Sequence, residues 1–277
     1  MEFETSESWV QSQQNLSDWL NLVKTQSDEI QIKTFLHNGR KLSKLVLQDK
    51  ELYLKMTSYR GASAERVVAG IYRHVGIVAP DTAIVTFKDD CFVVTNNLFL
   101  PRDTEPGEPF LRKITPGGAQ YVLPRIFNSE KTDQRILTYF TPKVLEQIAL
   151  HYGLALATRN WDANLGNLGF YLKNGKTMQA VNLIAFDFEQ SMGRDCGMGY
   201  ANPFNSQRLS HVQVVDCFRN SHKSFIKQKE ISQTIAKGLA QVDEIVYESQ
   251  CQGFQPDKQY VEQLKSSMSD MANIFQR

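Results

Sequence analysis

RNWDANLGN, residues 159–167, sets Asp162 and Asn167 five positions apart on a segment that follows directly on a helix. The helix is legible upstream: Thr141 can cap it, Pro142 takes its first position, Glu146 follows soon after, and the run extends to about Thr158. Asp162 and Asn167 therefore stand on the loop that leaves the helix. Downstream, Asn174-Gly175 is a hairpin signal. The hairpin's second arm is the apolar run NLIAFDFEQS, residues 182–191, which leads into Asp187. Such a hairpin returns Asn167 and Asp187 toward the same end. The simple register does not close, because the arm after the turn is about twice as long as the arm before it, so a bulge or break near Asn182 is required. Taken singly, Asp162 and Asn167 also read as a cap and a turn residue, and Asp187 as a helix N-cap.

Working outward to the N-terminal side, QIKTFL, KLVLQD and ELYLKM read as three strands, the first two joined by a turn-forming loop over residues 37–43. In the third, Leu52, Leu54 and Met56 point one way while Tyr53 and Lys55 point the other. Lys55 thus projects from the face opposite the apolar one. Residues 62–75 form a helix with Val68, Ile71, Tyr72 and Val75 at helical spacing, ended by Gly76 and Pro80. Glu65 lies near that buried stripe, and a carboxylate leaning inward wants a cation, for which Lys55 is the natural candidate. Its plainer reading is a partly exposed glutamate favoured by the helix dipole. TAIVTF and CFVVTNNLFL are strands again, separated by a turn over residues 88–90. A short amphipathic helix over residues 13–24 precedes them all, with Leu16, Trp19, Leu20 and Val23 on one face.

A Pro/Gly-rich connection, RDTEPGEPF and then ITPGG, marks the best lobe boundary. It divides the chain into a strand-rich part, residues 1–100, and a mainly helical part, residues 101–277. The last helix starts at Pro256 and carries Val261, Leu264, Met268, Met271 and Phe275 on one face. At 277 residues with 42% apolar side chains the chain can bury a sizeable core. Its 31 basic and 30 acidic side chains give a net charge of +1, so no whole-protein argument for nucleic acid or an anionic membrane arises. Cys91, Cys196, Cys217 and Cys251 lack C-x-x-C spacing and read as reduced thiols, and the five histidines are dispersed. The acidic, polar N-terminus is no Sec signal peptide, and no apolar stretch approaches the ~20 residues of a transmembrane span.

Phosphoryl transfer asks a protein mainly for positioning and charge stabilisation: a carboxylate to orient the attacking hydroxyl, oxygen ligands for Mg²⁺, a lysine for the phosphates. Asp162, Asn167, Asp187 and Lys55 supply candidates in that order of need. The succession LYLKM, GASAERVVAGIYRHVGIVAP, FVVTNN, RNWDANLGN and LIAFDFEQS resembles the HipA-like serine/threonine kinases across about residues 37–191. The catalytic loop is also similar to that of phosphoinositide 3- and 4-kinases.

The resemblance implies an α+β, bilobal protein-kinase-like fold with a small β-rich N-lobe and a larger, mainly helical C-lobe. It implies Mg-ATP (or Mn²⁺) as cofactor, Lys55 on the phosphates with Glu65 as its partner, Asp162 as the catalytic carboxylate, and Asn167 and Asp187 as metal ligands. Thr95, Asn96 and Asn97 resemble the hinge that bonds adenine. Asp187-Phe-Glu occupies the place of D-F-G. There are departures: no G-x-G-x-x-G loop is present, and residues 37–44 stand in its place with a single glycine. Ser43 matches a regulatory phosphoserine in position, and Lys44 lies beside it on the nucleotide side. A-P-E is absent, and so is the extra N-terminal subdomain of full-length members. The expected activity is transfer of the γ-phosphoryl group to a protein serine or threonine, with autophosphorylation. A phosphoinositide or inositol-phosphate kinase and a nucleotide-binding pseudokinase are the alternatives. Arg40, Lys41, Lys44 and Arg60 could meet a phosphorylated small molecule or an inositol-polyphosphate activator. The expected location is the cytoplasm, or a host cell that the chain enters as an effector.

Overall fold

Alternation along the first strands builds one antiparallel five-stranded sheet. The structure, a computed structural model, describes residues 31–37, 40–47, 50–87, 90–96, 104–106, 110, 138–160, 162–163, 167–173, 179–192, 200–201, 208–209 and 228–276. The sheet comprises β1 (Gln31–His37), β2 (Arg40–Leu47), β3 (Lys50–Thr57), β4 (Thr82–Phe87) and β5 (Asp90–Asn96), ordered β1-β2-β3-β5-β4. The expected loop over residues 37–43 is a correction: β2 already starts at Arg40, paired with His37. The physical reason is Asn38-Gly39, a dipeptide that favours a two-residue hairpin turn and lets the ladder run up to it. Ser43 and Lys44 consequently lie within β2, opposite Leu54 and Tyr53 of β3, and not in a loop. The expected leading helix over residues 13–24 and the hinge residue Asn97 lie outside the described residues.

Helix α1 (Tyr59–His74) begins earlier than Ala62 because Ser58 caps it, its hydroxyl accepting from the Gly61 amide at 3.0 Å. It ends as expected at Gly76, whose φ of 87° suits glycine. The earlier start moves Glu65 into the second turn, where it is buried. On β3, Lys55 sits across from Val93 of β5, and Val93 packs with Cys91 and Ala62 beneath α1. Met56, on the other face, is 61% exposed.

A second, three-stranded sheet has the order β6 (Thr104–Pro106), β7 (Leu168–Lys173), β8 (Gln179–Ala185). β6 falls in the Pro/Gly-rich connection, so that stretch contributes an edge strand as well as a link. Pro is tolerated there because an edge strand need not donate on both sides. The required bulge is present: Tyr171 pairs with Asn182, but Leu172 pairs with Ala180, leaving Val181 extra on β8. Beyond the bulge β8 stays paired with β7 and gains a partner on its other edge, the Ala180 amide donating to the Tyr139 carbonyl (2.8 Å) and the Thr141 amide to the Ala180 carbonyl (3.1 Å). Helix α2 (Pro142–Ala157), capped by Thr141 with Pro142 in the first turn as expected, secures the irregularity. Its buried Gln147 donates to Asn182 Oδ1 at 2.7 Å and accepts from the Leu183 amide at 3.0 Å.

Three further helices are described: α3 (Gln228–Ala240), α4 (Val242–Cys251) and α5 (Lys258–Gln276). The last starts after Pro256, with Asp257 Oδ1 accepting from the Tyr260 amide at 2.8 Å. Its expected apolar face, Val261, Leu264, Met268, Met271 and Phe275, is buried throughout. A two-stranded pair, β9 (Tyr200–Ala201) and β10 (Arg208–Leu209), completes the described elements. One core joins α1 to α2, the second sheet and α3 to α5, with Tyr72, Phe170, Phe188 and Tyr260 at its centre. The strand bridge from Val78 to Ile184, with the Ala185 amide on the Val78 carbonyl at 2.8 Å, ties the segment after α1 to β8. This tie sets the end of β8 beside α1. Among the described residues, no helix is long and apolar enough to cross a membrane.

Candidate functional site

Three elements converge where β8 ends. Lys55 comes from β3, Glu65 from α1, and the residues Asp187-Phe188-Glu189 leave β8. Phe188 is the anchor: it is 1% exposed and packs on Tyr72 of α1 with ring centroids 4.7 Å apart. Its backbone amide donates to Glu65 Oε2 at 3.1 Å. Burying a phenylalanine contributes roughly 2–3 kcal/mol, enough to hold its two neighbours in place. Asp187 adopts φ 63°, the left-handed region that aspartate tolerates better than most side chains.

The Lys55 ammonium meets three carboxylates: Asp187 Oδ1 at 2.5 Å, Glu189 Oε2 at 3.0 Å and Glu65 Oε1 at 3.2 Å. The Lys55 side chain is 18% exposed and that of Glu65 5%, so this cluster sits largely out of water. Burial acts to lower the pKa of Lys55, but Glu65 foremost, then Asp187 and Glu189, override it and raise it above the ordinary lysine value. Burial pushes the Glu65 carboxyl up to about 7 against the pull of Lys55. For an ion pair these two shifts are discordant. The lysine stays charged, while burial first, and the neighbouring Asp187 and Glu189 carboxylates after it, leave Glu65 reluctant to ionise.

The loop after α2 forms a second cluster. Asn167 donates from Nδ2 to the Asp162 carbonyl at 2.8 Å and to Asp162 Oδ2 at 3.4 Å. Asp162 in turn donates its amide to Oδ1 of the buried Asn160 at 3.2 Å. Two backbone bonds fasten this loop to the first cluster: the Phe186 amide reaches the Asn167 carbonyl at 3.1 Å, and the Met192 amide reaches that of Thr158 at 3.0 Å. Arg60 of α1 holds the same segment, donating to the Met192 carbonyl at 3.0 Å and to Gln263 at 2.7 Å.

Of the residues singled out in the sequence, Lys55 contacts both Glu65 and Asp187, and Asp162 and Asn167 form a linked pair. Thr95 lies on β5 opposite Tyr53, and Asn96 opposite Leu52, at the far end of the ladder from Thr57. Glu189, Thr57, Asn160 and Arg60's hold on Met192 were not anticipated. Ser58 and Asn160 could have been found as capping and turn residues beside helix ends.

A comparison with protein-family models finds no match, and neither does one with curated protein sequences. Solved structures do match. The Helicobacter pylori proinflammatory kinase CtkA aligns over 89% of this chain and 94% of its own, with a TM-score of 0.56 and 13% identity. A chain of the Shewanella oneidensis MR-1 toxin–antitoxin complex of HipA, HipB and operator DNA aligns over 88% of this chain, with a TM-score of 0.50 and 11% identity. The fold is kinase-like. This chain spans 63% of the length of that second structure. The kinase-like fold is α+β, as expected, and at these identities the likeness concerns the fold alone.

The donor set suits a hard divalent cation. With its amide nitrogen committed to Asp162, Asn167 retains its oxygen as an acceptor, and Asp187 offers a carboxylate. Among the described residues no three His, Cys, Asp or Glu side chains are grouped as ligands. Two oxygen donors nonetheless fit Mg²⁺, which keeps waters and phosphate oxygens for its other positions.

Proposed function

We propose that this chain is an ATP-dependent phosphotransferase, a compact bilobal kinase core of the HipA-like kind that phosphorylates serine or threonine hydroxyls on protein. The single observation that carries the reading is the contact of Lys55 with both Glu65 and Asp187, which joins strand, helix and post-strand carboxylate in one site. Lys55, oriented by Glu65, binds the phosphates. Asp187 and Asn167 hold Mg²⁺, which when bound with ATP neutralises charge developing on the transferred group. Asp162 orients the acceptor hydroxyl and takes its proton as the oxygen bonds to the γ-phosphorus, while the bond to the bridging oxygen breaks and ADP leaves. Thr95, Asn96 and Asn97 are assigned to adenine, and β2, the strand that carries Ser43 and Lys44, to the phosphate side.

Incubation with γ-³²P-ATP and Mg²⁺ or Mn²⁺ tests this against Asp162→Ala and Asp187→Ala. Label on the protein or on a generic protein acceptor is expected for the wild type. Asp162→Ala should lower kcat by roughly 10²–10⁴ with little change in nucleotide affinity. Near-wild-type turnover by Asp162→Ala would refute the assignment. Transfer to phosphoinositide but not to protein would replace the acceptor. Nucleotide binding without transfer would point to a pseudokinase or to a missing inositol-polyphosphate activator.

A further inference from the structure

Arg60 is the second residue of α1, and one of its terminal nitrogens, Nη2, donates both to the Met192 carbonyl at 3.0 Å and to Gln263 Oε1 of α5 at 2.7 Å. Its guanidinium carbon lies 5.5 Å from the centre of the ring of Tyr260, a buried residue of α5. Met192 is held from its other side too. Its amide donates to the carbonyl of Thr158, the residue where α2 gives way to the loop bearing Asp162, at 3.0 Å. The next residue, Arg159, donates from Nε to Ser267 Oγ of α5 at 3.2 Å. Gln263 and Ser267 are four positions apart on α5 and so share one face of it. The bonds close a ring, from Arg60 through Met192, Thr158, Arg159 and Ser267 to Gln263 and back to Arg60. Two of its members, Arg159 and Met192, adopt left-handed backbone, φ 48° and 54°, which neither side chain favours. Conformations of this kind persist where the surroundings over-determine them.

We propose that Arg60 is a positioning residue that sets the loop bearing Asp162 against the segment bearing Asp187. The inference rests on the phosphotransferase reading, which needs both carboxylates placed around one transferred group. α1 grips the segment at two points: Glu65 accepts from the Phe188 amide at 3.1 Å, and Arg60 donates to the Met192 carbonyl four residues later. One grip leaves the stretch beyond Phe188 able to pivot about the buried ring, and the second fixes its direction. Because Met192 also bonds to Thr158, fixing Met192 fixes the start of the Asp162 loop. α5 steadies both sides of that bond, through Gln263 on Arg60 and Ser267 on Arg159. The far end of the loop has its own tie, the Phe186 amide on the Asn167 carbonyl at 3.1 Å, which keeps Asn167 beside the Asp187 segment. Loss of Arg60 therefore leaves Lys55, Glu65, Asp187 and Asn167 together and displaces Asp162. Nucleotide binding survives while transfer slows.

The test compares wild type, Arg60→Met, Gln263→Ala and the double variant by two measurements. Calorimetric titration of Mg-ATP gives affinity and the number of competent sites, and transfer from γ-³²P-ATP to itself or to casein gives kcat per competent site. Arg60→Met keeps an apolar stem and removes both donated bonds. It should lower kcat per site about tenfold while Mg-ATP affinity changes by less than about twofold. Gln263→Ala should lower kcat about threefold in the wild-type background and not at all in the Arg60→Met background, because the two residues act through one bond network. Gln263→Glu keeps an acceptor oxygen for Arg60 and should lower kcat less than Gln263→Ala. Counting competent sites separates positioning from unfolding, which removes sites and leaves kcat per site unchanged. Unchanged kcat per site in Arg60→Met overturns the proposal, as does a parallel loss of Mg-ATP affinity or an equal effect of Gln263→Ala in both backgrounds. If Arg60→Met does not fold, unchanged kcat per site in Gln263→Ala overturns it. Wild type that transfers no label refutes the phosphotransferase reading and this inference with it, whereas active wild type matched by Arg60→Met refutes this inference alone.

Discussion

Replacing Lys55 by methionine removes the one cation that the described residues bring to the carboxylate cluster while keeping most of the side chain's length. At 3.2 Å from Glu65, the pairwise attraction is roughly 5 kcal/mol at an effective dielectric of about 20. Desolvation offsets much of it, and breaking a buried pair from one side typically costs about 3–5 kcal/mol. Lys55 retains 18% of its side-chain exposure and Asp187 28%, which puts the expected loss at the lower end, about 3 kcal/mol. Thermal unfolding should then fall by roughly 6–12 °C for a chain of this size. Part of the cost is repulsion among the stranded carboxylates, so Lys55→Met/Glu65→Gln should be at least about 1 kcal/mol more stable than the sum of the single effects allows. Urea denaturation of the two single variants and the double variant measures this. A loss below about 0.5 kcal/mol for Lys55→Met, or strict additivity in the cycle, would mean the cluster does not hold together in solution. The convergence of β3, α1 and the end of β8 would then lose its electrostatic basis.

Phe188→Ala should cost about 3–5 kcal/mol by denaturation, because a fully buried ring packed on Tyr72 is lost. Loss of the Lys55–Asp187 contact should accompany it, visible as weakened Mg-ATP binding. Gly153→Ala should destabilise by about 1–3 kcal/mol, since a Cβ there would lie 2.4 Å from Ile231 Cγ2, and Gly153→Ala/Ile231→Leu, whose leucine has no Cγ2 branch, should recover part of the loss. His151 gives a pH test. Burial lowers its pKa to about 3, from an ordinary value near 6.5, while Tyr72 Oη lies 3.1 Å from its Nδ1. The depressed value means the unfolded chain takes the proton first. Stability from this residue is complete above about pH 6.5 and lost as pH falls toward 3, amounting to about 2 kcal/mol between pH 7 and pH 5. His151→Phe should flatten that portion of the stability–pH curve, and an unaltered slope would contradict the burial.

How much of this was legible in the sequence follows from which interactions are local. Strand alternation put Lys55 opposite the Met56 face, and helical spacing turned Glu65 inward. An arm-length mismatch alone demanded the bulge at Val181, beside Asn182. Each of these is a periodicity or a chain-length constraint, readable without knowing the partners. What escaped needed the tertiary register. The loop reading over residues 37–43 failed because Asn38-Gly39 was weighed as part of a longer turn, when its two residues suffice to connect β1 and β2. The edge strand β6 was hidden because Pro and Gly mark both linkers and sheet edges. Glu189 is the instructive omission. Once Phe188 is taken as a core residue, its two acidic neighbours are left outside the core. A lysine already reaching Asp187 is then within reach of Glu189 too. A carboxylate on each side of a buried aromatic, opposite one inward lysine, was therefore a readable pattern. It was missed because the motif reading gave weight to the first acidic residue and treated the second as filling a glycine's place.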